Sequence, residues 1–363
     1  MATTSEVTLA LRPERRLEVI DVTKHIEEQY GDVLHRHENA FYCSYHTTAG
    51  YLDQRLSERL DYDPESIRVF LQPFQQLFPP DANYRHDQLS LRTELSEKQR
   101  ANEPRNADSH LTFMSSGLLN CARYDNPGDH PVFFIDLDGV NPEAAEEYQQ
   151  RSRRTTVIAY NEEIPVFQDE IRVPVSNHRV DSINLKAHDL GIFERVHELV
   201  QRYGIEQGRV EFSLNDNESH AALTVNEDET LLMQHDLREV LQNPMRFMAE
   251  KGWRMISDPK AIPGKAKNYA KYDLVQLTNK VLDKMGLSES VIERVIEKLL
   301  AVPAERFLRM QRSVSLLVND YEEGSCGTII QGRYQSPLLV QWNKPSSSRK
   351  SSRTLKVTLY RFN

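Results

Sequence analysis

The chain repeats its own order. EQYG at 28–31 returns as QRYG at 201–204, HTTAGYLDQR at 46–55 returns as ESHAALTVNE at 218–227, and RT at 154–155 returns as RT at 353–354. The first two pairs are offset by 173 and 172 residues, the third by 199. Collinear markers of this kind predict a tandem duplication, which fixes the fold of both halves at once. The growth in offset, about 27 residues, calls for an insertion before the third marker, and the helical-looking run 269–311 is the visible surplus. The expected organisation is repeat 1 over 1–165 and repeat 2 over 166–363, with the insertion inside the second. A chain of 363 residues is also too long for one ordinary core, in agreement with two domains.

Local patterns predict an α+β fold in each half. TLAL and RRLEVID read as strands, and Asp21 is placed to cap a helix over VTKHIEEQYG that Gly31 ends. Residues 40–46 alternate as a strand. In DPESIRVFLQPFQQLFP, Asp63 is placed to cap and Pro64 to open a helix that Pro73 should kink or split. PVFFIDLDG reads as a strand, NPEAAEEYQQRSR as a helix and RTTVIAYN as a strand. The second half repeats the order: two strands in EIRVPVSNHRVDSINL, a helix in GIFERVHELVQRYG, a strand in GRVEFSLND and an amphipathic helix in DETLLMQHDLREVL.

Composition excludes several function classes. A formal charge of −9 disfavours general nucleic-acid binding, which needs a net basic face. The one basic cluster, SSSRKSSR at 346–353, reads as a solvated turn between strands. No apolar block is long enough to span a bilayer, and the amino terminus lacks the pattern of a secretion signal. Three dispersed cysteines without a CxxC pair fit a reducing compartment, so a cytoplasmic location is expected. No glycine-rich nucleotide loop is present.

The order HTTAG, then YRHD at 84–87, then NADSH at 106–110, resembles the YjbQ family, also called secondary thiamine-phosphate synthases. The first half departs from the family where its NE falls on Gln54-Arg55 and its GTWQ on Gly128-Asp129-His130-Pro131. The second half has the opposite pattern: LTVNE at 223–227 matches the family's LTINE, and Gly332-Arg333-Tyr334-Gln335 stands at GTWQ, while His46 aligns with Glu218. The resemblance implies, for each half, a mixed sheet curled into a barrel with flanking helices, commonly assembled as trimers. It also implies a capacity to join the two precursors of thiamine phosphate. A homo-oligomer is therefore the expected assembly.

The spacing of His46, His86 and His110 identifies nothing by itself, but the family pattern implies that they converge. Three converging imidazoles hold a divalent ion such as zinc and leave a position open for water or substrate. Asp87 and Asp108 are the candidate partners for the outer ring nitrogens. Thr47 and Thr48 are candidates to receive phosphate oxygens, with Arg153 and Arg154 supplying charge and Arg151 read as solvated. The competing reading of TTAG is a tight strand end whose small residues serve packing. The complementary losses of the two halves predict one composite pocket, in which Glu227 acts as base or supporting carboxylate while Tyr334 and Gln335 orient substrate. The bland alternative has Asn226 capping a helix that begins near Asp228. Two functions stay open: a metal-dependent, thiamine-phosphate-synthase-like transferase or hydrolase of small phosphorylated compounds, and a non-catalytic assembly or small-ligand-binding module.

Overall fold

The computed structural model describes residues 4–82, 84–91, 96–141, 146–176, 181–227, 310–320, 327–345 and 352–363. The expected helix over 228–241 lies outside them, as does the insertion over 269–311 apart from its last two residues, of which Gln311 bridges Leu223.

The first half contributes strands β1 (Thr4–Leu11), β2 (Glu18–Asp21), β3 (Asn39–Ser44), β4 (Ala49–Gly50), β5 (Cys121–Asp125), β6 (Phe133–Asp136) and β7 (Arg153–Tyr160). Its helices are α1 (Val22–Tyr30), α2 (Gln54–Arg59), α3 (Pro64–Leu77), α4 (Glu97–Asn102), α5 (Ala107–Ser116) and α6 (Glu146–Gln149). The second half has β8 (Glu163–Pro174), β9 (Asp181–Asn184), α7 (Ile192–Arg202), β10 (Gly208–Leu214), β11 (Ala221–Asn226), β12 (Ser313–Asn319), β13 (Thr328–Ile330), β14 (Ser336–Gln341) and β15 (Ser352–Phe362). Because β8 already begins at Glu163, a division at 165/166 falls inside a strand.

The strand orders correspond one to one. The sheet β1-β7-β3-β5 is matched by β8-β15-β10-β12, which β13 extends, and the sheet β2-β6-β4 is matched by β9-β14-β11. Register agrees as well: Ala49 faces Asp136 in β4–β6, and Ala221 faces Gln341 in β11–β14. Structural equivalence therefore pairs Arg153 with Arg353, so the RT marker near the chain's end is shifted by one residue from the sequence alignment.

The sheets correct the expectation of a mixed sheet curled into a barrel. Every ladder among the described residues is antiparallel, and no closed barrel is found there. The break has a local cause at the end of β3. The Ser44 hydroxyl donates to Ala49 O at 2.6 Å and accepts the His46 amide at 3.2 Å, which loops His46–Thr48 out and sends β4 into the other sheet.

Caps behave as read. Asp21 Oδ1 accepts Lys24 N–H at 3.0 Å to start α1, and Gly31 ends that helix at φ +69°. Asp63 accepts Ser66 N–H at 2.6 Å to start α3. Pro73, expected to kink or split α3, lies inside one continuous helix. The carbonyl it leaves without an amide belongs to Val69, which is 60 % exposed and so can be hydrated.

Core packing makes the halves one body. In each, the larger sheet packs on apolar side chains of the smaller sheet and of α1 or α7. Phe41, Cys43, Ile158 and Tyr160 meet Leu317, Ile330 and Phe362 across the seam, with Tyr160 stacked on Phe362 at 4.0 Å. Helix α5 lies between the two smaller sheets: Phe113 packs with β6, whereas Leu111 and Met114 pack with Leu338 and Val340 of β14. All ten α5 residues are buried, so its polar side chains, His110 among them, are enclosed by the protein on every side. This helix carries His110 against the second half.

Candidate functional site

Three side chains from both halves meet at the amino-terminal end of α5. His86 and His110 come from the first half and Glu227, just past β11, from the second; their ligand-type atoms all lie within 4.8 Å of one another and all three are buried. Glu227 Oε2 is 3.6 Å from His86 Nε2 and 3.4 Å from His110 Nε2. Two ligands about 2.1 Å from a tetrahedral ion stand about 3.4 Å apart, so this spacing suits a small dication. The outer nitrogens are held too. His86 Nδ1 is 3.2 Å from Asp87 Oδ1, and His110 Nδ1 is 2.8 Å from Asn226 Oδ1. Oxygen acceptors on both Nδ1 atoms place hydrogens there and turn both Nε2 atoms toward Glu227, so that a metal ion replacing the Nε2 proton of His86 would meet two imidazole lone pairs. Asp87, which holds the outer nitrogen of His86, keeps its second oxygen buried without a hydrogen-bond partner. The donor set therefore fits a divalent cation.

Protonation differs sharply between the two imidazoles. Burial pulls the His86 pKa down, but hydrogen bonds to Asp87 and Glu227 overcome it and raise it to about 9. Burial and then the neighbouring His86 charge lower His110 to about 4. Burial also lifts Asp108 to about 7, against the pull of Arg16, whose guanidinium is 2.7 Å from Asp108 Oδ1. Asp108 thus has Arg16 as its ion-pair partner, while Asp87 takes the supporting position at a histidine.

His46 takes a different place from the other two histidines. Its Nε2 accepts Arg154 N–H at 2.9 Å, and its Nδ1 lies 3.4 Å from Arg153 Nη1. Burial, and then the charges of Arg153, Arg151 and Arg154, lower its pKa to about 3. His46 and the cluster nevertheless share one cavity of about 130 Å³, whose wall carries the charged groups of Arg151, Arg153 and Glu103 besides Glu227, with Thr47, Thr48 and Tyr334. Of the cluster, His110 and Glu227 face this cavity.

The remaining sequence candidates separate by position. Arg153 is buried and fixed by Asp136, with Nε to Oδ2 at 2.6 Å and Nη2 to Oδ1 at 2.9 Å. Arg154 points away, its guanidinium 4.4 Å above the Tyr45 ring. Arg151, read as solvated, instead lines the cavity 3.3 Å from Asp138. Thr48 is buried beside Arg153, and Thr47 O accepts Asn226 Nδ2–H at 3.3 Å. Gly50 has no room for a side chain: a Cβ there would be 2.1 Å from Leu119 O, so its smallness serves backbone packing. Tyr334 stands at the cavity rim, whereas Gln335 is consumed in joining the halves. Its Nε2 donates to Ser44 O and His46 O at 3.0 and 2.9 Å, and its Oε1 accepts Gly332 N–H at 2.9 Å. Gly332 packs so closely that a Cβ would be 1.8 Å from Tyr45 O.

Sequence reasoning missed Asp136, Asp138, Arg16 and Asn106. The available signal was FIDLDG, a strand ending in two acids that need buried partners, and the run of arginines at 151–154 supplies them. Among the described residues no helix is long and apolar enough to cross a membrane.

No family model matches the chain, and no curated protein matches it. Among solved structures it is similar to a YbjQ-like protein of unknown function from Sulfolobus solfataricus, at 14 % identity over 55 % of this chain and 99 % of that one, with a TM-score of 0.29. A hypothetical protein from Aeropyrum pernix is similar at 13 % identity over 53 % of this chain and 98 % of that one, with a TM-score of 0.26. An uncharacterized conserved protein of the YjbQ family from Clostridium acetobutylicum gives 15 % identity, the same two coverages of 53 % and 98 %, and a TM-score of 0.25.

Proposed function

We propose that the chain is an internally duplicated, YjbQ-like protein with one composite metal site, acting on small phosphorylated compounds by hydrolysis or by group transfer of the thiamine-phosphate-synthase type. The observation that carries this reading is the His86–His110–Glu227 cluster, in which both Nδ1 atoms are held by oxygens and both Nε2 atoms face one carboxylate. A divalent ion bound there supplies Lewis acidity and lowers the pKa of a bound water. Asp87 and Asn226 fix the two imidazoles, His110 and Glu227 open onto the cavity, and Arg151 places positive charge on its wall. Tyr334 borders the space in which the organic part of a substrate would lie. Assembly as a homo-oligomer, a trimer in particular, belongs to the same proposal.

A second reading has one observation in its favour. His86, with its pKa near 9, is charged between Asp87 and Glu227 without any metal, as a purely structural ion network would be. The two readings part on one experiment: metal-free protein is titrated with Zn²⁺ and Mn²⁺, then assayed with p-nitrophenyl phosphate. Stoichiometric binding with metal-dependent turnover supports the enzyme. Stoichiometric binding without turnover restricts the proposal to a binding module, and absence of binding leaves the structural network.

A further inference from the structure

The two halves treat one pair of donors differently. In the second half the Glu218 carboxylate fills the position of His46: its Oε2 takes Arg353 Nη1 at 2.8 Å and its Oε1 takes Thr354 N–H at 2.8 Å. The supporting contacts match. Arg353 Nε donates to Gln341 at 3.0 Å as Arg153 Nε does to Asp136, and each Nη2 reaches a carbonyl at 2.6 Å, Asn343 O or Asp138 O. An arginine beside a backbone amide thus offers two donors to one side chain, and in the second half that side chain is a carboxylate able to accept both.

In the first half His46 cannot satisfy both donors. A neutral imidazole has one acceptor nitrogen, and the closer contact, 2.9 Å from Arg154 N–H, uses Nε2. The hydrogen then lies on Nδ1, which faces Arg153 Nη1 at 3.4 Å, donor against donor. Both groups border the cavity that also holds Arg151. We infer that His46 Nδ1–H and Arg153 Nη1–H form an oxyanion subsite for a phosphoryl or carboxylate oxygen of the ligand, which supplies to Arg153 the negative oxygen that Glu218 supplies to Arg353. This deepens the proposed function by placing the anionic end of the substrate beside the cluster of His86, His110 and Glu227.

The test uses metal-free protein, so that its outcome is independent of the metal reading. Calorimetric titrations with inorganic phosphate and with acetate are run on the wild type and on His46→Glu, whose new carboxylate should occupy the subsite as Glu218 does. The expected result is one anion per chain on the wild type, at least ten-fold weaker binding in the variant, and a variant that melts no lower than the wild type. The tighter of the two titrants names the chemistry, phosphoryl or carboxylate. Long-range ¹H–¹⁵N spectra of the wild type provide a second measurement should His46→Glu fail to fold: the hydrogen on His46 should be on Nδ1, and its signal should shift on adding the tighter titrant. No binding by the wild type, undiminished binding in the variant, or an Nε2–H tautomer overturns the inference.

Discussion

Asn226 Oδ1 stands 2.8 Å from His110 Nδ1 although the two residues are 116 apart in sequence, and the next residue, Glu227, brings Oε2 to 3.4 Å from the opposite ring nitrogen. One short segment at the end of β11 therefore both orients and faces the same imidazole. The site cannot be completed by either half alone.

Substituting Asn226→Ala removes the acceptor that fixes the His110 ring. Zinc affinity should fall about 10- to 100-fold, the usual effect of losing such a support. Competition with a chromophoric chelator reads this directly. Unchanged affinity would mean that the ring is oriented by packing alone.

The seam between halves depends on Gly332. A methyl group there would be driven into Tyr45 O, 1.8 Å away, and would push Gln335 off Ser44 O and His46 O. Gly332→Ala should cost about 1–3 kcal/mol of stability, the range for overpacking a close contact. Urea unfolding measures it, and a midpoint equal to wild type would contradict the packing argument.

Arg353 is fully buried and Glu218 is its carboxylate partner. Glu218→Ala leaves that charge without a counterion, which should cost about 3 kcal/mol, the low end for such a loss because Ser219 O, Asn343 O and Gln341 remain. The measurement is again the urea midpoint. A loss under about 0.5 kcal/mol would show the pair to be dispensable.

Much of this arrangement is visible in the sequence, for identifiable reasons. Strand and helix order follow from alternation and caps, since Asp21 and Asp63 act locally. His86, His110 and Glu227 are singled out by motif and do come together. The place of His46 is not legible, because it depends on which residue of β7 pairs with the loop after β3, a register that no local pattern encodes. Asp136 and Arg153 are likewise invisible as a pair until β6 and β7 are brought to the same place, and the burial of α5 on all sides hides its helical periodicity.

His46 makes stability depend on pH in a defined direction. Its pKa is about 3 in the folded protein against 6.5 ordinarily, with burial as the main cause. As pH falls below 6.5 the unfolded chain gains a proton that the folded chain refuses, so stability present above pH 6.5 is lost progressively toward pH 3. His110 adds a slope of the same sign, so the readout is a difference: His46→Gln should flatten the stability profile between pH 3 and 6.5 relative to wild type. An NMR titration placing His46 near its ordinary value would contradict the account.

The central claim is a metal centre made jointly by the two halves, and metal stoichiometry tests it most directly. Purified protein is stripped with chelator, reloaded with zinc, freed of excess and analysed by elemental mass spectrometry, in parallel with Glu227→Gln and His110→Ala. The account predicts one zinc per chain in the wild type and far less than one in each variant, with circular dichroism showing all three folded. Zinc absent from the folded wild type, or retained in full by Glu227→Gln and His110→Ala together, would contradict it.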